Sequence, residues 1–186
     1  MSGAQLLVDA GNTRLKWARV EDGEWRAAGS GDYRDWSALV RALDGVSACH
    51  IACVAGGAHA QALAAVLAAA GVRATWHVAA AAFGEVRNTY ETPQQLGVDR
   101  WMALIAARAR CREAVLVVSA GTALTADALA ADGRFLGGVI VPGLGLMRQA
   151  LHTGTAGVAP PAGTVTAFPR STADAVESGI VAALCG

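Results

Sequence analysis

The 186-residue chain has no excess charge of either sign: 15 Lys and Arg stand against 15 Asp and Glu. That balance leaves no electrostatic footprint for nucleic acid or an anionic membrane, so small molecules and other protein subunits are the expected partners. Charged residues are scarce at 16%, while hydrophobic ones reach 54%, which excludes a disordered chain. The longest apolar stretch, around Ala60–Ala70, is Ala-rich and short of the ~20 residues a membrane span needs. Met1-Ser2-Gly3-Ala4-Gln5 has no basic region before its apolar run, so no secretory leader is expected. Cys49, Cys53, Cys111 and Cys185 lack zinc-type pairing and read as buried reduced thiols, which points to the cytoplasm.

Against these absences stands one doubled feature. Leu7-Val8-Asp9-Ala10-Gly11-Asn12-Thr13 is echoed by Val117-Val118-Ser119-Ala120-Gly121-Thr122-Ala123, at a lag of 110 residues. In each copy an apolar strand-like run meets a tight Gly turn and a second apolar run follows. Asp22-Gly23 and Asp132-Gly133 then recur at the same offset, each a type I′ hairpin signal. A repeat this long predicts two related half-domains rather than a solenoid. Two such turns facing each other would grip a polyphosphate between their backbone N–H groups. Only the first copy keeps its carboxylate.

Periodicity predicts an α/β chain. Strands are expected at Leu6–Val8, Arg14–Val20 and Glu24–Ala28, then a helix over Asp35–Leu43 with Asp35 as N-cap and Gly45 closing it. Strands Ser47–Val54 and Ala74–Val78 flank a helix from His59 to Ala70. Phe83–Gly97 reads as an irregular polar loop, the kind of segment that carries binding residues. A helix over Asp99–Arg110 follows, then a second meander, Ala114–Ser119, Leu124–Leu129 and Arg134–Ile140. Helices over Leu144–Leu151 and Thr172–Ala183 enclose a Gly/Pro/Thr-rich stretch, Thr153–Pro169. No linker separates the halves, so the boundary near Arg112 rests on the repeat alone: 1–112 and 113–186.

Asp9 through Lys16 is the strongest local signal. Gly11 permits close backbone approach to an anion, Asn12 and Thr13 add donors, and Lys16 follows. A carboxylate at the turn's mouth suits a hydrated Mg²⁺, although Asp and Asn also form ordinary turns. In the second candidate, Gly97 before Asp99-Arg100 places a carboxylate and a guanidinium at a helix start. Asp99 is the type of group that accepts a substrate hydroxyl proton, and Arg100 the type that binds a polar substrate group. Tyr90 reads equally well as a packing residue with a wet hydroxyl.

Taken together, Asp9–Lys16, Tyr90 with Pro93, Gly97-Val98-Asp99-Arg100, Gly121-Thr122-Ala123, Gly137–Gly143 and Ser171–Gly179 resemble, in order and spacing, the motifs of type III pantothenate kinases. That family includes proteins named Bvg accessory factor. The resemblance implies an actin-like, acetate-and-sugar-kinase ATPase fold, with two ribonuclease-H-like halves flanking the nucleotide; against that pattern the second half is expected to be shortened or the chain a fragment. It implies that Asp9, Ala10, Gly11, Asn12, Thr13, Arg14, Leu15 and Lys16 hold the ATP phosphates, met by Gly121 and Thr122. Asp99 becomes the general base toward pantothenate, and Tyr90, Gly97, Val98, Arg100 and Thr172 line the pantothenate pocket. Mg²⁺ at Asp9, activation by K⁺ or NH₄⁺, and a homodimer are further implications.

Two departures from the family pattern matter. Ser119 stands where relatives usually have a monovalent-cation Asp, and a hydroxyl lacks the charge that favours a cation. Asp127, eight residues on, would on a regular strand share Ser119's face but lie far from it. Family members also usually continue beyond the Ser178-Gly179 helix. Two functions therefore stand open: pantothenate phosphorylation, or a relative impaired in catalysis that acts by binding a ligand or partner.

Overall fold

Alternation along Ala4–Ala10 builds the first sheet outward from its centre. This strand, β1, buries Ala4, Leu6, Val8 and Ala10 on one face. It pairs antiparallel with β2 (Leu15–Glu21), which pairs with β3 (Glu24–Gly31). On its other edge β1 takes β4 (Val46–Cys53) in parallel, and β4 takes β5 (Arg73–His77). The structure, a computed structural model, describes residues 3–155 and 163–186. Parallel neighbours need crossover connections, which α1 (Ser37–Ala42) and α2 (Gly57–Ala69) supply. Leu39, Leu63 and Leu67 of these helices join Leu6, Val8, Cys49 and Ile51 in one core.

Among the described residues, the second sheet repeats the meander without the parallel strands. β6 (Ala82–Phe83) and β7 (Val86–Arg87) form a small separate hairpin, and a 3-10 turn covers Pro93–Gln95. After α3 (Val98–Arg110) come β8 (Val115–Ala120), β9 (Ala123–Leu129) and β10 (Phe135–Pro142), antiparallel in the order β10-β9-β8. Trp101 and Leu104 of α3 pack with Leu129 and Phe135 in a second core. Because α3 also touches β4, it is the element shared by both sheets. Helices α4 (Leu144–Gly154) and α5 (Thr172–Cys185) close the chain, tied by Arg148 donating to the buried Glu177 carboxylate. Between them lies an open apolar groove of about 620 Å³ lined by residues such as Leu146, Leu151 and Ile180.

Several expectations need correction. α1 starts two residues late, at Ser37, where the Asp35 carboxylate accepts from the first N–H of the helix and from the Ser37 hydroxyl. Phe83–Gly97 is not wholly irregular: it holds part of β6, all of β7 and the 3-10 turn. The two Asp-Gly turns also differ. Asp22 and Gly23 have φ of 49° and 80°, as type I′ requires. At Asp132-Gly133 only Gly133 is left-handed, since the Asp132 carboxylate accepts the Arg134 N–H and pairs with its guanidinium, widening the connection. Thr153 and Gly154 belong to α4, and part of the expected Gly/Pro/Thr-rich stretch, 156–162, lies outside the described residues. Of the cysteines, all free, Cys49 is buried but Cys185 is exposed.

Candidate functional site

The first turn joins β1 to β2 and is held on two sides. Asp9 opposes Lys16 in register, and the Lys16 ammonium lies 3.4 Å from the Asp9 carboxylate. Both side chains are well exposed, so this pair contributes little to stability. Gly11 donates its N–H to the Arg14 carbonyl at 3.1 Å, closing the turn, and accepts at its own carbonyl from the Tyr33 hydroxyl at 2.6 Å. Asn12, Thr13 and Arg14 project outward, whereas Leu15 is buried in the first core and has only its backbone to offer.

The second turn meets the first directly. Thr13 and Thr122, 109 positions apart, share a hydroxyl–hydroxyl hydrogen bond of 2.7 Å. Behind the second turn, Gly143 donates its N–H to the Thr122 carbonyl at 2.9 Å. A Cβ at Gly143 would collide with the Gly121 and Thr122 carbonyls, so only glycine allows this approach. Ser119 sits on β8 opposite Thr125 of β9, whose buried hydroxyl has no hydrogen-bond partner among the described residues. The expected separation of Ser119 and Asp127 along one strand is wrong. The chain reverses at Gly121-Thr122, so Asp127 pairs with Val117 and becomes Ser119's diagonal neighbour, roughly 7–8 Å away.

Asp127 is nevertheless committed elsewhere. Arg100, on the first turn of α3, donates Nε at 3.0–3.1 Å to both Asp127 oxygens and one Nη to the same carboxylate. Both residues are buried, and this pairing holds the guanidinium firmly protonated against the opposing effect of burial. The other Nη donates to the Tyr90 hydroxyl at 3.2 Å, and the Phe135 ring packs 5.8 Å from the guanidinium and 5.6 Å from the Tyr90 ring. Gly138, on β10 beside Asp127, leaves the room this pair occupies; a Cβ there would strike the Asp127 carboxylate, with the Arg100 guanidinium 2.7 Å away. Arg100 thus links α3 to the second sheet, with one edge left facing Tyr90.

Asp99 remains exposed at the mouth of α3, behind the N-cap Gly97, with Oδ1 accepting the Arg100 N–H at 2.8 Å. A helix N-terminus favours the carboxylate's charge. Val98 is buried, so it and Gly97 shape the helix start by their backbone. Thr172 is exposed at the first position of α5, and no hydrogen bond among the described residues ties it to Tyr90 or Arg100. The sites thus fall into two groups, the facing turns and the Tyr90–Arg100 cluster, with Thr172 apart. Sequence reasoning missed Tyr33 and the glycines at 138 and 143 as supports, because each acts through a contact distant in the chain.

Residues 5–186 match the family model described as type III pantothenate kinase. The chain is 59% identical over 186 residues to the type III pantothenate kinase of Thiobacillus denitrificans, spanning 100% of this chain and 76% of that one. The chain belongs to the type III pantothenate kinase family. The family member from Aromatoleum aromaticum is 48% identical over 177 residues, covering 94% of this chain and 73% of its own. Among solved structures, a conserved putative Baf family transcriptional activator from Campylobacter jejuni shares the fold, with a TM-score of 0.58 at 19% identity. That likeness spans 97% of this chain and 75% of the other.

Proposed function

We propose that the chain transfers the γ-phosphoryl group of ATP to the primary hydroxyl of pantothenate, forming 4′-phosphopantothenate for coenzyme A synthesis. The observation that carries the site assignment is the Thr13–Thr122 contact of 2.7 Å, which sets the two turns against each other. In this reading the halves 1–112 and 113–186 each present backbone N–H groups and a threonine hydroxyl to the ATP phosphates. Lys16 adds charge, and Asp99 accepts the pantothenate hydroxyl proton at its exposed carboxylate. Tyr90 and the Arg100 Nη that donates to its hydroxyl bind a polar group of pantothenate, with Thr172 reaching it from α5.

The half-exposed Asp9 carboxylate, with only a weak contact to Lys16, fits a hydrated Mg²⁺. Mg²⁺ bound there supplies charge neutralisation on the phosphate oxygens. The donors near Ser119 fit a K⁺ or NH₄⁺ site poorly: two neutral hydroxyls are present, but the nearby Asp127 carboxylate is held by Arg100. Ser119 therefore favours a second reading, a relative with weak turnover that binds its ligands. Ser119→Asp separates the two: it should raise turnover and create a potassium requirement, whereas a chain impaired for another reason would show neither. A cytoplasmic homodimer completes the proposal. Asp99→Asn tests the base: turnover should fall by at least about a hundredfold with ATP affinity kept, and undiminished turnover would remove Asp99 from that role.

A further inference from the structure

The residue behind the first turn has no place in the phosphate-binding motif, yet it fixes the motif's conformation. Tyr33 lies beyond β3, 22 positions from Gly11, and its hydroxyl donates to the Gly11 carbonyl at 2.6 Å. The ring is clamped on both sides of its own: it stacks on His59 of α2 at 4.0 Å with an interplanar angle of 14°, and meets Trp36 edge-on at 5.8 Å. It also packs against the first core, and burial pushes its hydroxyl pKa up to about 12, so it is a donor at neutral pH.

A peptide unit is planar and trans, so its C=O and the following N–H point in opposite directions. Holding the Gly11 carbonyl toward Tyr33 therefore turns the Asn12 N–H away from Tyr33 and the first core. We infer that Tyr33 is a positioning residue that locks the Gly11–Asn12 peptide with its N–H presented to the nucleotide phosphates. The second turn has a similar device one residue later, where the Gly143 N–H holds the Thr122 carbonyl and so turns the Ala123 N–H the other way. In one half a side chain does what the backbone does in the other. Without the hydroxyl, the glycine-containing peptide can flip and present a carbonyl oxygen, which repels phosphate.

This inference rests on the proposal that the first turn binds ATP phosphates, and its test separates the two. Affinities of the unaltered chain and of Tyr33→Phe for Mg·ATP and for pantothenate are measured by calorimetry, with the Asn12 amide followed by NMR. Phenylalanine keeps the stacking on His59 and removes only the hydroxyl. The expected result is ATP affinity weakened about five- to tenfold, the loss of roughly one hydrogen bond. Pantothenate affinity should stay unchanged, the melting temperature should fall by only about 2–4 °C, the loss of one intramolecular hydrogen bond, and the Asn12 amide resonance should respond to ATP only in the unaltered chain. Equal ATP affinity in both proteins would overturn the inference while leaving the nucleotide site intact. Equal losses for ATP and pantothenate would overturn it too, by showing a general structural role. No ATP binding by the unaltered chain would overturn the nucleotide reading and this inference with it.

Discussion

Arg100 and Asp127 show how one pair fixes both the shape of the site and part of its stability. A buried ion pair gains little over an apolar pair, but removing one partner strands a charge, typically at a cost of about 3–5 kcal/mol. Asp127→Ala should therefore lower the urea unfolding free energy by about that amount, and pantothenate affinity should fall with it. A loss under about 1 kcal/mol would mean that water reaches the guanidinium and relieves it. Thiol reactivity gives a second residue-scale prediction. Burial lifts the Cys49 thiol pKa to about 12, while Cys185 is exposed. In native protein a thiol reagent should modify Cys185 quickly and Cys49 only after unfolding; rapid labelling of Cys49 would contradict the packing of β4.

At the scale of elements, the strands β4 and β5 carry a histidine pair whose titration reports on the first sheet. His50 and His77 stack with ring centres 5.3 Å apart and nitrogens 3.1 Å apart. Burial, and then His50, lower the His77 pKa below its ordinary 6.5. The folded state therefore resists the proton that the unfolded chain accepts. Stability from this source is full above pH 6.5 and is lost as pH falls through the folded pKa. The urea midpoint should drop as the pH is lowered from 6.5 through the folded pKa, and His77→Gln should flatten the drop. A midpoint independent of pH in the wild-type chain would contradict the assignment. The connection after β10 offers another test: Gly143→Ala forces a Cβ against the second turn, so ATP affinity should fall more than pantothenate affinity. Equal losses would mean that Gly143 matters only for folding.

Much of the molecule was legible from periodicity and turn residues, because strands with one buried face and helices with apolar stripes write their pattern into the chain. The doubled turn, the second meander and α3 follow from local signals of that kind. The relation of the turns to one another was an inference from repetition, and the Thr13–Thr122 hydrogen bond gives it a geometry. What stayed hidden were contacts between distant positions. Nothing near Tyr33 in sequence says that its hydroxyl reaches Gly11, and nothing near Gly138 says that it clears space for Arg100. Asp127 misled for the opposite reason: its distance from Ser119 was reckoned along one regular strand, although the Gly turn between them folds β9 back beside β8.

At the scale of the whole molecule, two sheets meet through α3 and two turns meet through their threonines, and phosphoryl transfer to pantothenate is the activity this arrangement supports. The direct test is to incubate the purified chain with ATP, Mg²⁺, K⁺ and pantothenate and to look for 4′-phosphopantothenate by mass spectrometry. The account predicts product that accumulates with time and disappears in Asp99→Asn. Absence of product at every potassium and ammonium concentration, with pantothenate still bound, would contradict it and leave a ligand-binding relative in its place.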